Sequence, residues 1–185
     1  MRDISLHLLD LMENSLRAGA SLVQLALDLD AAGALSITLT DDGCGMDEEL
    51  LQKAADPFTT SRTTRKVGLG IPLTKLNAER TGGTFSLQSA PGQGTRLTAC
   101  FQTRHMDCLP LGDLAATIVS VLIAHPQGTD ILLTLRSPAG EESFDTRTVR
   151  QALGEEVPLS EPEVVAWLRD TLNEQTRTVL GGETT

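Results

Sequence analysis

The sequence predicts an α/β sandwich, in which a mixed or antiparallel sheet is covered by helices on one face and followed by a small α/β region. Three observations predict this class. Apolar residues alternate with polar ones in paired short stretches separated by turn residues, as hairpins require. Helical stretches stand before and between those pairs, in the order helix, two strands, short helix, loop, helix, two strands. Aromatic residues make up only 3% of the chain and tyrosine is absent, so the core between sheet and helices must be aliphatic.

Residues 4–18 form the first helix. Asp10, Glu13, Asn14 and Arg17 recur along one helical stripe, and Leu8, Leu9, Leu11, Met12 and Leu16 cover much of the rest. So many leucines around one polar stripe favour a helix that faces a wet cavity over a surface helix. His7, one turn before Asp10, reads as a polar residue at a helix start. Val23, Leu25, Leu27 and Leu29 alternate, as do Leu35, Ile37 and Leu39, which makes two strands. The residues from Asp30 to Gly33 between them have turn chemistry. Residues 48–55 form a short helix, 57–66 a polar, threonine-rich loop, and 69–80 a second long helix ended by Gly82 and Gly83. Strands at 84–89 and 96–102 flank a turn containing Pro91, Gly92, Gln93 and Gly94.

His105, Pro110 and Gly112 interrupt the pattern, and a boundary there divides residues 1–103 from 104–185. Beyond it the spacing predicts a helix at 113–124, strands at 131–135 and 142–144, and a helix at 146–153. The last helix begins near Glu161, with Ser160 as its expected N-cap and Glu163 three residues on.

The formal net charge is −10. A diffuse acidic surface argues against tight non-specific binding of nucleic acid. Cys44, Cys100 and Cys108 are odd in number and form no C-x-x-C pair, which points to free thiols in a reducing compartment. Asp10, Glu13 and Arg17 interrupt the N-terminal leucines, so no apolar signal core is present, and no apolar run is long enough to span a bilayer. A cytoplasmic protein without membrane attachment is the expectation.

Four polar or glycine-rich boxes then follow one another in the first hundred or so residues. On the first helix, the Asn14 amide oxygen can ligate Mg²⁺, which prefers hard oxygen ligands and keeps waters and phosphate oxygens besides. Asp10, a turn earlier on the same face, can take a proton from a water or hydroxyl attacking a γ-phosphate. The plain alternative is a solvated face carrying a Glu13–Arg17 ion pair. Asp41 opens a D-x-G-x-G box at a strand end, where a carboxylate can accept the exocyclic amine of adenine. Gly43 and Gly45 would let the backbone pass close to the base, although Asp42-Gly43 alone also suits a simple turn.

Gly68, Leu69 and Gly70 open a helix whose free N–H groups favour phosphate. The loop before them concentrates hydroxyls and cations, with Thr60, Arg62 and Lys66 as expected phosphate partners. The alternative there is a solvated loop. Gly92 to Thr95 reads as a hairpin turn, from which Thr95 could hydrogen-bond toward adenine beside Asp41.

Taken in this order, the boxes resemble those of the ATPase superfamily shared by DNA gyrase, the Hsp90 chaperones, sensor histidine kinases and mismatch-repair ATPases. The resemblance covers roughly residues 4–101 and implies the Bergerat-type fold, with ATP and Mg²⁺ bound under a flexible lid formed by residues 57–66. Its wording is mosaic: ENSLRAGAS and DDGCGM look like mismatch-repair ATPases, whereas DPFTTSRTTRKVGLGIPLTK and GGTFSLQSAPGQGT look like sensor kinases. Two departures stand out. Lys66 occupies a position where sensor kinases usually have glycine, and Asp10 stands where hydrolytic relatives generally have the longer glutamate.

The resemblance implies a stand-alone ATP-binding protein that hydrolyses ATP slowly or phosphorylates a protein partner. An alternative is a non-catalytic, nucleotide-dependent regulatory module of the anti-sigma-factor type, and a third reading is a DNA-repair ATPase. Residues 104–185 match no motif and are expected to serve homodimerisation or partner docking.

Overall fold

The computed structural model describes residues 2–54, 69–125, 128–154 and 157–181. The elements are α1 (Ile4–Arg17), β1 (Leu22–Leu29), β2 (Ala34–Asp41), α2 (Glu48–Ala54), α3 (Gly70–Arg80), β3 (Phe85–Ser89) and β4 (Thr95–Gln102). They continue with α4 (Leu114–Ala124), β5 (Asp130–Ser137), β6 (Gly140–Asp145), α5 (Thr146–Leu153) and α6 (Pro162–Leu180). The expected elements among the described residues are present, and they form the predicted α/β sandwich. Residues 57–66, read as a lid, together with Thr60, Arg62, Lys66 and Gly68, lie outside the described residues.

All six strands join one sheet in the order β3-β4-β2-β1-β5-β6. Neighbours are antiparallel except β1 and β5, which run parallel. The chain therefore leaves the β3–β4 side, crosses by way of α4, and adds β5 and β6 on the far side of β1. Residues beyond 103 extend the same sheet, with Val23, Leu25 and Leu27 opposite Ile131, Leu133 and Leu135.

The alternation of each strand sends these side chains, with Leu35, Ile37, Leu39, Leu97, Ala99 and Phe101, to one buried face. The other face carries residues such as Gln24, Thr38, Arg96 and Thr134, and is polar, as an open face of a largely antiparallel sheet must be. A row of helices covers the apolar face: α1 packs between α3 and α4, and α4 packs against α6. The core is aliphatic, with Phe101 and Phe144 its buried aromatics among the described residues. Cys44, Cys100 and Cys108 are free thiols. Among the described residues no helix is long and apolar enough to cross a membrane.

The start of α6 differs from expectation. Its N-cap is Glu161, with no side-chain capping bond, and Pro162 occupies the first turn. Proline has its φ preset for a first helical turn and lacks an N–H that would need a cap, so Ser160 is left outside.

One consequence of the β1–β2 register positions the site. Asp41 pairs with Val23 and so points to the helix-covered face. It is the one carboxylate among the buried side chains of the described residues.

Candidate functional site

Burying a carboxylate is costly unless its oxygens are satisfied, and Asp41, 7% exposed, draws donors from three separate segments. Its Oδ1 accepts the Gly43 N–H at 3.0 Å and the Thr95 N–H at 3.2 Å. Its Oδ2 accepts the Ser15 hydroxyl of α1 at 2.6 Å. Three donors fix the plane of the carboxylate and leave one acceptor position on Oδ2. Beside it lies a cavity of about 470 Å³, a size suited to a small ligand. Leu39, Met46, Ile71, Leu87 and Leu97 supply apolar walls, and Asn14, Arg17, Asp41 and Thr95 supply polar groups.

The glycines of the two boxes around Asp41 hold the loops together. Gly45 has φ +68°, and a Cβ there would lie 2.0 Å from the Ala90 carbonyl oxygen. Gly94 has φ +73°, and its Cβ would lie 1.9 Å from the Asp41 carbonyl oxygen. At Gly43 a Cβ would meet the Ala18 Cβ at 2.8 Å. The close approach that these positions require is therefore to protein backbone and to α1, whatever occupies the cavity. Two hydrogen bonds complete the lock: Gly92 N–H donates to Cys44 O at 2.8 Å, and Met46 N–H to Ser89 Oγ at 2.9 Å. Ser89 in turn donates to Gly94 O at 2.7 Å and lies 3.0 Å from the Thr95 hydroxyl. Gly94→Ala should destabilise the fold by at least about 2 kcal/mol, since a left-handed conformation at a non-glycine residue and a backbone clash both oppose it. Urea denaturation checks this; an unchanged midpoint would contradict the packing described.

Asn14 lines the cavity, and its amide nitrogen is buried with no hydrogen-bond partner. Its amide nitrogen, a donor, is thus not consumed by contacts among the described residues. Glu13 and Arg17, which share the stripe, form a 2.6 Å ion pair on the exposed side, a contact of small energetic weight. The polar stripe of α1 therefore carries an ion pair, whose Arg17 also borders the cavity, and a cavity-facing amide.

Asp10 sits where α1 meets α3. A Cβ on Gly70 would lie 2.8 Å from Asp10 Cβ, so the glycine allows the carboxylate to rest against the first residue of α3. Burial raises the Asp10 pKa above the usual carboxylate value; Glu13 adds to this, while Arg17 opposes it. Among the described residues no side chain caps the N-terminus of α3, whose first turn carries the Gly70 and Ile71 N–H groups, Pro72 having none. His7 couples the same two helices. It is 1% exposed, and its Nε2 accepts from Asn77 Nδ2 at 3.0 Å. That contact assigns the ring proton to Nδ1, and burial lowers the pKa to about 4. His7 is a neutral interior residue rather than a polar residue at a helix start.

Asp10, Asn14, Asp41, Gly43, Gly45, Leu69, Gly70 and Thr95 are thus the sequence-selected residues that the structure describes. Asn14, Asp41, Gly45 and Thr95 line one cavity, whereas Asp10 of α1 and Gly70 of α3 meet each other and are not among its lining residues. The sequence reading passed over Ser15 and Ser89, whose spacing carries no signature, and Asp42. Asp42 belongs to the scaffold: it accepts the Ser21 N–H at 2.7 Å, the Leu22 N–H at 2.9 Å and the Ser21 hydroxyl. Those bonds, the Ser21 hydroxyl first, hold its pKa below the usual carboxylate range. Another hollow of about 490 Å³ is bounded by Asp28, Arg136 and Glu141. Arg136 and Glu141 there satisfy each other at 2.9 Å.

The described residues contain no cluster of three or more His, Cys, Asp or Glu able to hold a metal. A hard cation at Asn14 would accordingly take most of its oxygens from phosphate and water, as Mg²⁺ does in nucleotide sites.

The family model of histidine kinase-, DNA gyrase B- and HSP90-like ATPases matches residues 2–105, a span that includes every box. The chain is similar to the non-motile and phage-resistance protein of Caulobacter vibrioides, 34% identical over 116 residues, covering 57% of this chain and 14% of that protein. It is also similar to the DNA mismatch repair protein MutL of Dichelobacter nodosus, 34% identical over 122 residues, covering 66% of this chain and 19% of that one. Sporulation kinase B of Bacillus subtilis is 30% identical over 93 residues, covering 49% and 21% of the two chains. The chain thus spans only a minor part of the length of each of these relatives.

Proposed function

Because the chain belongs to the family of histidine kinase-, DNA gyrase B- and HSP90-like ATPases, we propose that the cavity beside Asp41 binds Mg-ATP. The protein then hydrolyses the nucleotide slowly, or transfers its γ-phosphoryl group, to control a protein partner. The observation that carries this reading is the buried Asp41 carboxylate, clamped by three donors with one acceptor position left at an apolar-walled cavity. A purine fits that arrangement: its faces pack on aliphatic side chains and its exocyclic amine meets Oδ2. We assign Mg²⁺ to the Asn14 amide oxygen and phosphate to the start of α3, a reading supported by Asn14 lining the cavity and by the N–H groups of the first turn of α3. Bound Mg²⁺ would neutralise phosphate charge. Asp10, with its raised pKa, is the group available to hold a proton from the attacking water or hydroxyl. Incubation with labelled Mg-ATP under single-turnover conditions tests the proposal, which predicts free phosphate or a phosphoprotein.

Asn14→Ala is expected to weaken nucleotide binding roughly tenfold or more with Mg²⁺ present and little in its absence, because the lost contact is to the ion and not to the base. Paired titrations with Mg-ADP and with ADP plus chelator check this. Equal losses in both would contradict the assignment of Asn14.

One observation favours a second reading, a nucleotide-dependent regulatory module without catalysis. Asp10 rests against Gly70 and is absent from the residues that line the cavity. Its side chain is also one methylene shorter than glutamate. If labelled ATP is bound but neither hydrolysed nor transferred to any partner, this reading replaces the first. For residues 104–185 we propose partner docking or dimerisation, supported by the exposure of Ile123, Val157 and Trp167 within that region.

A further inference from the structure

We propose that the outer face of α6, centred on Trp167, docks a basic segment of a protein partner, with an arginine or lysine side chain laid on the indole. The inference rests on the docking reading of residues 104–185 above and names the occupant: a cationic partner rather than a second copy of this chain. Val164, Leu168, Leu172 and Val179 bury one stripe of α6. Glu163, Trp167, Asp170 and Glu174 recur at i, i+4, i+7 and i+11 along another stripe, and all four are exposed. That stripe is about 16 Å long at the rise of an α-helix. Trp167 is the only tryptophan of the chain and is 51% exposed. Half of its largest apolar side chain thus faces solvent among carboxylates. Tryptophan is among the side chains most enriched where interfaces gain their binding energy, and its ring is the best aromatic acceptor for a cation.

The carboxylates around it are uncommitted. Glu163, Asp170 and Glu174 take part in no ion pair among the described residues. Arg169, next to Asp170, is turned to Asp113 of the α4 N-cap at 3.4 Å. Arg177, in the last turn, marks the end of the acidic stretch. Glu163 suits the first turn of a helix, but Asp170 lies mid-helix, where aspartate is a poor former. Helix stability therefore does not account for the pattern. A second copy of α6 laid on this face would set these acids against their own kind, and each chain carries a formal charge of −10. Nucleic acid and anionic lipid meet the same repulsion. A basic helix or strand does not: its cations pair with the carboxylates and one stacks on Trp167. Exposed ion pairs add little affinity each, so the indole supplies most of the binding and the acids supply the choice of partner.

The test titrates the whole protein with three amphipathic peptides that share one leucine pattern and contain no aromatic residue. Their polar positions are all arginine, all glutamine or all glutamate. Calorimetry gives the affinities, and emission from Trp167, in a chain without tyrosine, reports contact at the site. The arginine peptide is expected to shift that emission and to bind roughly tenfold or more tighter than the glutamine peptide, with the advantage falling as salt is raised. Trp167→Ala and the triple variant Glu163→Gln/Asp170→Asn/Glu174→Gln should each weaken it roughly tenfold. A second triple variant, Asp28→Asn/Glu48→Gln/Glu79→Gln, removes the same charge from exposed positions elsewhere and should stay within about twofold of wild type. Circular dichroism checks that each variant is folded. Equal binding of the arginine and glutamine peptides would overturn the proposal. So would equal losses in the two triple variants, which would make the attraction a property of the whole acidic surface, or unchanged affinity in Trp167→Ala. If sedimentation instead finds a dimer that Trp167→Ala dissociates, residues 104–185 keep their docking role and the basic partner is excluded. If the protein is a monomer and binds no peptide, the docking reading fails with the proposal.

Discussion

Asp41→Asn is expected to weaken Mg-ADP binding by about a hundredfold or more while the protein stays folded. The local hydrogen bonds explain both halves of this expectation. In the variant, the amide oxygen can replace Oδ1 and still accept from Gly43 and Thr95, which lie at 3.0 and 3.2 Å. The amide nitrogen then occupies the Oδ2 position. Ser15 can accommodate it by turning its proton to the Leu11 carbonyl oxygen, 3.4 Å away, and accepting from the amide instead. The protein thus keeps its bonds, whereas the adenine amine meets a donor where it needs an acceptor. Losing that bond and leaving two donors facing each other beside aliphatic walls costs a few kcal/mol. Calorimetric titration gives the affinity, and thermal unfolding shows whether the fold persists. A variant that is folded and binds with wild-type affinity would remove Asp41 from the site.

Asp10→Asn is expected to keep ATP affinity within a few fold and to lower turnover by about 10²–10⁴, the usual contribution of a general base. The same substitution should also stabilise the protein at neutral pH, and the sign follows from linkage. Burial, then the charge of Glu13, raises the folded-state pKa of Asp10 above its unfolded value. Between those two values the folded state therefore holds a proton that the unfolded state has released. Ionised Asp10 opposes folding at pH values above its folded pKa, and this penalty fades in acid, below the unfolded value. Asparagine carries no such penalty. Its advantage in urea denaturation should be present at pH 7 and should disappear near pH 3. Turnover equal to wild type would exclude Asp10 as the base, and an advantage that grows in acid would contradict the environment described for it.

Much of this site could be read from local patterns. The 3.6-residue spacing brought Asp10 and Asn14 to one stripe of α1, and turn-forming glycines after apolar alternation marked Asp41, Gly45 and Gly94. These signals need only neighbours in sequence. What escaped depends on pairings across the fold. Ser15 looks like any helical serine until α1 is laid across the end of β2, 26 positions further along the chain. Gly45 and Gly94 each suit a turn by composition, yet their spatial requirement comes from Ala90 and from the Asp41 backbone. His7 appears polar and exposed in the sequence, and is buried because Asn77 on α3 closes over it. The alternation in β5 is the same whichever strand it joins, so its parallel place beside β1 has no local signature. Ser160 shows the converse: a sound capping residue is displaced when Pro162 presets the first turn one residue later.

The most direct measurement of the central claim is a crystal structure of the protein with Mg²⁺ and a non-hydrolysable ATP analogue. The account predicts adenine in the cavity between Leu39 and Leu97 on one side and Met46 on the other, its amine at roughly 3 Å from Asp41 Oδ2, and the metal on the Asn14 amide oxygen. A nucleotide bound elsewhere, or adenine in the cavity with its amine turned away from Asp41, would contradict it.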